Sequence, residues 1–207
     1  MFQFLRKIGR QVMALAVALG GAHAAKGPAP QVDIVYFSHT GNSRLVAERL
    51  RQKLAAQVRV TEICPCESYP PYGDELTKLA ETEAADDQCR PPYRLDQDGA
   101  ALEETTFSLR RFVVVVMPVW YYKIPRVVQH FLEQQAWNGQ RVTLVLTHAG
   151  GPGSCREDVE AATAGAEFTG YFDLFCTAPG NGEIDTQAVD AFAAAINRQF
   201  SGEEAED

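Results

Sequence analysis

Val32-Asp33-Ile34-Val35-Tyr36-Phe37-Ser38-His39-Thr40-Gly41-Asn42-Ser43 is the stretch that decides the fold. Its first six residues are mostly β-branched and aromatic, the composition of a strand. The next six are small and polar. They run directly into Ser43–Ala55, where Leu45, Val46, Leu50 and Leu54 recur at helical spacing. A strand that passes through such a loop into a helix aims backbone N–H groups and the positive end of a helix dipole beyond the strand end, where they favour an anion. Ser38, Thr40 and Ser43 add hydroxyls, Asn42 an amide, and Gly41 a backbone free to turn tightly. His39 is the one basic side chain in the loop, so a bound phosphate would be held mainly by neutral donors. The segment lacks the Gly-Lys-Ser/Thr of a Walker loop and the GxGxxG of a dinucleotide fingerprint. A plain turn followed by a helix cap would use the same residues.

Outward from this segment, Val58–Ile63 reads as a second strand, and Ser68–Gly73 as a turn. Asp74–Asp87 reads as a helix with Asp74 as its N-cap, and Arg90–Thr106 as irregular and polar. Phe112–Met117 is almost continuously apolar, as expected of a strand covered on both faces. Pro125–Gln134 is a helix opened by its proline. Val142–Thr147 is another buried strand, Cys155–Thr163 a short helix, and Phe168–Cys176 the last strand. Ala188, Val189, Phe192, Ala193, Ile196 and Phe200 mark a closing helix. Strands alternating with helices predict an α/β class with a five-stranded parallel sheet. The expected single domain covers residues 31–200, after a linker at 25–30 and before an acidic tail at 201–207.

The amino terminus has a different character. Arg6, Lys7 and Arg10 precede an apolar run from Val12 to Leu19, and a small-residue ending follows at Gly20-Gly21-Ala22-His23-Ala24. This three-part layout predicts a secretory signal peptide at residues 1–24, hence an exported, periplasmic protein. The apolar run is too short for an ordinary transmembrane helix. Cleavage after Ala24 removes three basic residues and no acidic ones, which takes the formal net charge from −8 to −11. So acidic a chain is unsuited to nucleic acid and is repelled by anionic membrane surfaces. Its natural complement is a protein with a basic docking surface. Export permits disulfides. The five cysteines are an odd number, and their spacing completes no zinc site; a bridge from Cys64 or Cys66 to Cys89 and unpaired thiols are both open.

In an open parallel sheet, ligands sit beyond the carboxyl ends of the strands, where the strand order reverses. Besides Ser38–Ser43, two other strand-end loops have unusual composition. Pro118-Val119-Trp120-Tyr121-Tyr122-Lys123-Ile124-Pro125 carries three consecutive aromatics, which cannot all face one core and can stack on a planar ligand. His148-Ala149-Gly150-Gly151-Pro152-Gly153-Ser154 permits close backbone approach and brings a titratable imidazole. The three loops end the first, third and fourth expected strands, which meet at the switch point of a 2-1-3-4-5 sheet.

On the segments 32–43, 113–133 and 142–159, the sequence resembles the flavodoxin family, in particular short bacterial flavodoxin-like proteins. The resemblance implies a three-layer sandwich that binds FMN non-covalently. It assigns the phosphate to Ser38, His39, Thr40, Gly41, Asn42 and Ser43. It assigns the ribityl chain and ring to Pro118, Val119, Trp120 and Tyr121, with Tyr122 beside them, and the other ring edge to His148, Gly150 and Gly151. Two departures stand out: relatives usually have a small residue where this chain has Tyr122, and commonly Arg, Gln or Ser where it has His39. The implied role is electron transfer to a protein partner, the flavin doing the redox chemistry. Two other readings use the same residues: an FMN-dependent NAD(P)H:quinone-type reductase, and a binding module that has lost the cofactor.

Overall fold

The computed structural model describes residues 29–102, 107–176 and 183–201. The expected signal peptide and nearly all of the acidic tail lie outside the described residues. Strand β1 (Gln31–Tyr36) leads to helix α1 (Asn42–Lys53), then β2 (Gln57–Pro65) and α2 (Asp74–Ala85). A hairpin of β3 (Tyr93–Gln97) and β4 (Ala100–Leu102) follows. The chain continues through β5 (Phe112–Pro118), α3 (Arg126–Gln134), β6 (Arg141–His148), α4 (Cys155–Ala162), β7 (Glu167–Phe175) and α5 (Thr186–Ser201).

These strands form one seven-stranded sheet in the order β4-β3-β2-β1-β5-β6-β7. The α/β class is as expected, but the sheet is mixed rather than five-stranded and purely parallel. Its parallel part runs β2-β1-β5-β6-β7. The addition is the hairpin, antiparallel to β2, in the segment read as irregular. Its cause is local. Tyr93 and Leu95 alternate into the core while Arg94 is exposed. Asp98 and Gly99 both take left-handed backbone, at φ 53° and 86°, as a two-residue hairpin turn requires.

Burial alternates along the central strands. Val113, Val115 and Met117 of β5 face one core, shared with Val127, Val128 and Phe131 of α3 and Val159 of α4. Val114 and Val116 face the other, shared with Val46 and Leu50 of α1 and Val189 and Ile196 of α5. Helices on both faces explain the nearly unbroken apolar runs. One fully buried strand residue is charged: Asp33. Its carboxylate accepts two hydrogen bonds from the Arg59 guanidinium, at 2.7 Å each, and one from the Arg110 backbone N–H at 2.8 Å. The cluster lies at the amino end of β1, opposite the loops of interest.

Helix α2 begins one step differently from expectation. Gly73 takes the cap position, and Asp74 is the first helical residue. The far end of α2 is tied to α3 by Arg126, which is 4% exposed. Its guanidinium donates to the carbonyls of Glu83 and Ala84 at 2.8 Å each and to Asp87 at 2.9 Å. A buried cation there joins the Asp86 N–H, which donates to the Glu83 carbonyl at 3.2 Å, in satisfying the last carbonyls of the helix.

Candidate functional site

The first loop is set by Gly41, whose left-handed φ of 102° turns the chain into α1. The Ser38 Oγ accepts the Gly41 N–H at 3.2 Å. No side chain caps α1, and no acidic residue lies in its first turn. The helix therefore presents an N-terminus suited to an anion. Ser43 is buried, and its hydroxyl lies 2.8 Å from that of Thr147 at the end of β6, so it ties two loops together. Arg44, the nearest guanidinium along the chain, is bonded to Glu62 at 2.8 and 3.0 Å. Glu62 also accepts from the Tyr36 phenol, whose pKa is pushed up by burial and then by this carboxylate.

The second loop reverses abruptly. Trp120 and Lys123 exchange both backbone hydrogen bonds at 3.0 Å around a two-residue turn. Its central residues, Tyr121 and Tyr122, are left-handed at φ 48° and 63°. Glycine or asparagine ordinarily fills such positions, and a bulky side chain there costs about 1–3 kcal/mol per residue. The turn is held from two sides. The Tyr121 hydroxyl donates to Glu81 of α2 at 2.9 Å. The Tyr122 carbonyl accepts the Ser154 N–H at 2.9 Å. Gly153 lies so close that a Cβ there would stand 1.9 Å from that carbonyl oxygen.

Trp120 is the centre of an aromatic cluster. Its ring meets Tyr69 edge-on with centroids 4.7 Å apart, Phe37 at 5.2 Å and His39 at 5.9 Å. The Tyr69 hydroxyl points to Glu83 of α2 at 3.4 Å. Burial is the main cause that raises the pKa of both, and each bears on the other.

The third loop starts at His148, whose side chain is 8% exposed. Its Nε2 lies 3.0 Å from Asp173 of β7, which places a proton on that nitrogen. The loop then turns under the second one: a Cβ on Gly150 would stand 4.0 Å from the Tyr122 hydroxyl.

Together the loops enclose a cleft of about 250 Å³ at the carboxyl edge of the parallel strands. Of the residues expected at the site, His39, Thr40 and Asn42 line it from the first loop. Pro118, Val119, Trp120, Tyr121 and Tyr122 line it from the second, and His148, Gly150 and Gly151 from the third. Ser38, Gly41 and Ser43 are not on its wall; the first two shape the turn and the third braces it. Sequence reasoning missed one whole side: Tyr72 and, from α2, Leu76, Thr77 and Ala80. The i, i+4 spacing of Leu76 and Ala80 signalled a covered face, but not what it covers. It also missed Thr147, Ala149 and Cys176, the last buried just beyond β7. All five cysteines are unpaired, so the bridge to Cys89 is not formed. Among the described residues no cluster of three His, Cys, Asp or Glu side chains could hold a metal. No described helix is long and apolar enough to cross a membrane.

Comparison with known proteins follows the same lines. The flavodoxin family pattern matches residues 31–171. No curated protein matches the chain. Among solved structures, a protein from Bacteroides uniformis assigned as a flavoprotein superposes with a TM-score of 0.62 at 16% identity, covering 80% of this chain and 99% of its own. A similar Bacteroides eggerthii protein gives 0.60 at 19% identity, with 80% and 97% covered. A Lactobacillus acidophilus flavoprotein, solved in complex with FMN, gives 0.56 at 15% identity, with 70% and 93% covered. At such identities the superpositions speak for the fold, while the match over residues 31–171 speaks for descent: the chain belongs to the flavodoxin family.

Proposed function

We propose that this protein is an exported FMN-dependent electron carrier. The observation that carries the reading is the union, in one cleft, of an uncapped helix N-terminus, the Trp120 aromatic cluster and the His148 loop. These are the parts a phosphate, a flat ring and a ring edge need, and the family is one of FMN proteins. The Lactobacillus acidophilus relative supports the same ligand.

In this reading the first-turn N–H groups of α1, with the Thr40 hydroxyl, hold the phosphate. Trp120 packs beside the ring, its own orientation fixed by Phe37 and Tyr69. His148 borders the ring edge, oriented by Asp173. FMN supplies one- and two-electron redox chemistry, and the chain supplies the setting that tunes it. The acidic surface and aromatic packing disfavour added negative charge on the ring and so lower its potential. Export rests on the charge and apolar layout of residues 1–24.

The deciding experiment is a visible spectrum of the purified mature chain, before and after FMN addition, followed by reductive titration. A flavin spectrum that co-elutes with protein and bleaches reversibly is the expected result. A chain that takes up no FMN returns the fold to the reading of a binding module. Steady consumption of NADPH with a quinone, without any partner protein, would instead favour the reductase. Fractionation of an expressing bacterium should recover a periplasmic chain beginning at Ala25.

A further inference from the structure

We propose that Tyr122 is a gate across the cleft, which sets how fast the ring compartment exchanges with solvent and which donors reach a bound flavin. The inference rests on the FMN reading for its second half alone.

The geometry separates a fixed frame from a moving side chain. The backbone at Tyr122 is held by the Ser154 N–H, by the close-packed Gly153 and by the mutual bonds of Trp120 and Lys123. Its neighbour Tyr121 is tied to α2 through Glu81. The Tyr122 side chain has no such hydrogen-bonded tie; its ring meets only that of Tyr121, edge-on with centroids 6.3 Å apart, among the described residues. Among the described residues nothing hydrogen-bonds its hydroxyl, and the residue is 63% exposed. Yet it lines the cleft, and its hydroxyl hangs over Gly150 on the opposite loop. The ring therefore reaches across the mouth from the second loop toward the third, on a pivot held by backbone hydrogen bonds. Opening requires only side-chain rotation, which in exposed residues takes picoseconds to nanoseconds. A strained residue kept at a ligand cleft is the kind of outlier from which a functional role is inferred. Glycine at 122 would relieve the left-handed strain but leave the mouth open.

The consequence is selective. A nicotinamide must lie face to face on a flavin to pass a hydride, and with FMN in the cleft a Tyr122 ring across the mouth would stand in that approach. Electron transfer to a docked protein needs no such contact. The gate thus favours the carrier over the hydride-accepting reductase.

The test uses Tyr122→Gly and Tyr122→Phe in the full mature chain. Trp120 lines the cleft, whereas Trp137, the other tryptophan, is 8% exposed in the core. Acrylamide quenching of tryptophan emission in the cofactor-free protein therefore reads access to the cleft. Y122G should raise the quenching constant about threefold, and Y122F should leave it unchanged. With FMN, Y122G should speed association and dissociation together by about tenfold, leaving Kd within about threefold. Equal quenching in wild type and Y122G overturns the gate whatever FMN does. A change in the dissociation rate alone also overturns it, and makes Tyr122 an ordinary stacking contact. Raised quenching in a chain that binds no FMN upholds the gate and sinks the FMN reading instead.

Discussion

Gly153 stands in left-handed backbone at φ 57°, against the Tyr122 carbonyl. Alanine there meets both a backbone penalty and an overlap that only movement of the Tyr122 turn can relieve. G153A should cost about 2–4 kcal/mol in urea unfolding, well above an ordinary loop substitution. Asp33 is the matching case at the other end of the sheet. Asp33→Asn leaves Arg59 and Arg110 without their buried counter-charge, and should cost about 3 kcal/mol by the same measurement. Glu83 makes a prediction with the opposite sense. Its raised pKa means that the folded state holds the proton more tightly than the unfolded chain does. Its contribution to stability is therefore present at acid pH and is lost as pH rises through the folded value. Glu83→Gln should gain stability relative to wild type on going from about pH 4 to about pH 7; a constant difference between the two urea midpoints would contradict this. At this scale the sequence was partly readable. Gly41 and Trp120 announced themselves by type and place. The left-handed turn at Tyr121-Tyr122 did not, because its residues are the wrong ones for that backbone, and only the clamps from Ser154 and Glu81 make it tenable.

Helix α2 is the element that sequence reasoning placed correctly but understood least. Its pattern showed a helix with a covered side, while its role as a wall of the cleft depends on where Arg126 pins it. That guanidinium bonds two carbonyls and a carboxylate from the end of α2, a long-range arrangement with no local signature. Arg126→Met should free that end at a cost of about 2–3 kcal/mol, seen as faster amide exchange across Glu81–Ala85 with α1 unaffected. If α2 walls the proposed FMN site, affinity for FMN should fall in parallel. The β3–β4 hairpin was missed for another reason. Charged residues at Arg94 and Asp96 disguised a strand that exposes one side, and the Asp98-Gly99 turn signal was passed over. Parallel strands such as β5 were legible because they are buried on both faces and have no polar side to disguise them.

For the whole molecule, the topology decides what meets. Three loops separated by scores of residues converge because β1, β5 and β6 are adjacent in the sheet. That convergence followed from the parallel α/β pattern alone. The seventh-strand count and the α2 wall did not follow, since both depend on how segments pack across the fold. Net charge belongs to this scale too. Under the proposed carrier role, the formal charge of −11 on the cleaved chain should make electron exchange with a basic redox protein fall about tenfold between roughly 10 mM and 300 mM salt, which stopped-flow measurement would read directly. A rate indifferent to salt would remove the basic partner.

The two margins of the sheet also differ in a way that bears on self-association. One ends in β4, three residues long, too short to template another chain. The other ends in β7, nine residues long and half-exposed, with no strand paired to its outer side among the described residues. Two features blunt it: the register shift against β6 between Val142 and Thr143, and the acidic side chains of Glu167 and Asp173. Aggregation during refolding should therefore start at β7, and a lysine placed on its solvent-facing side would be the simplest protection.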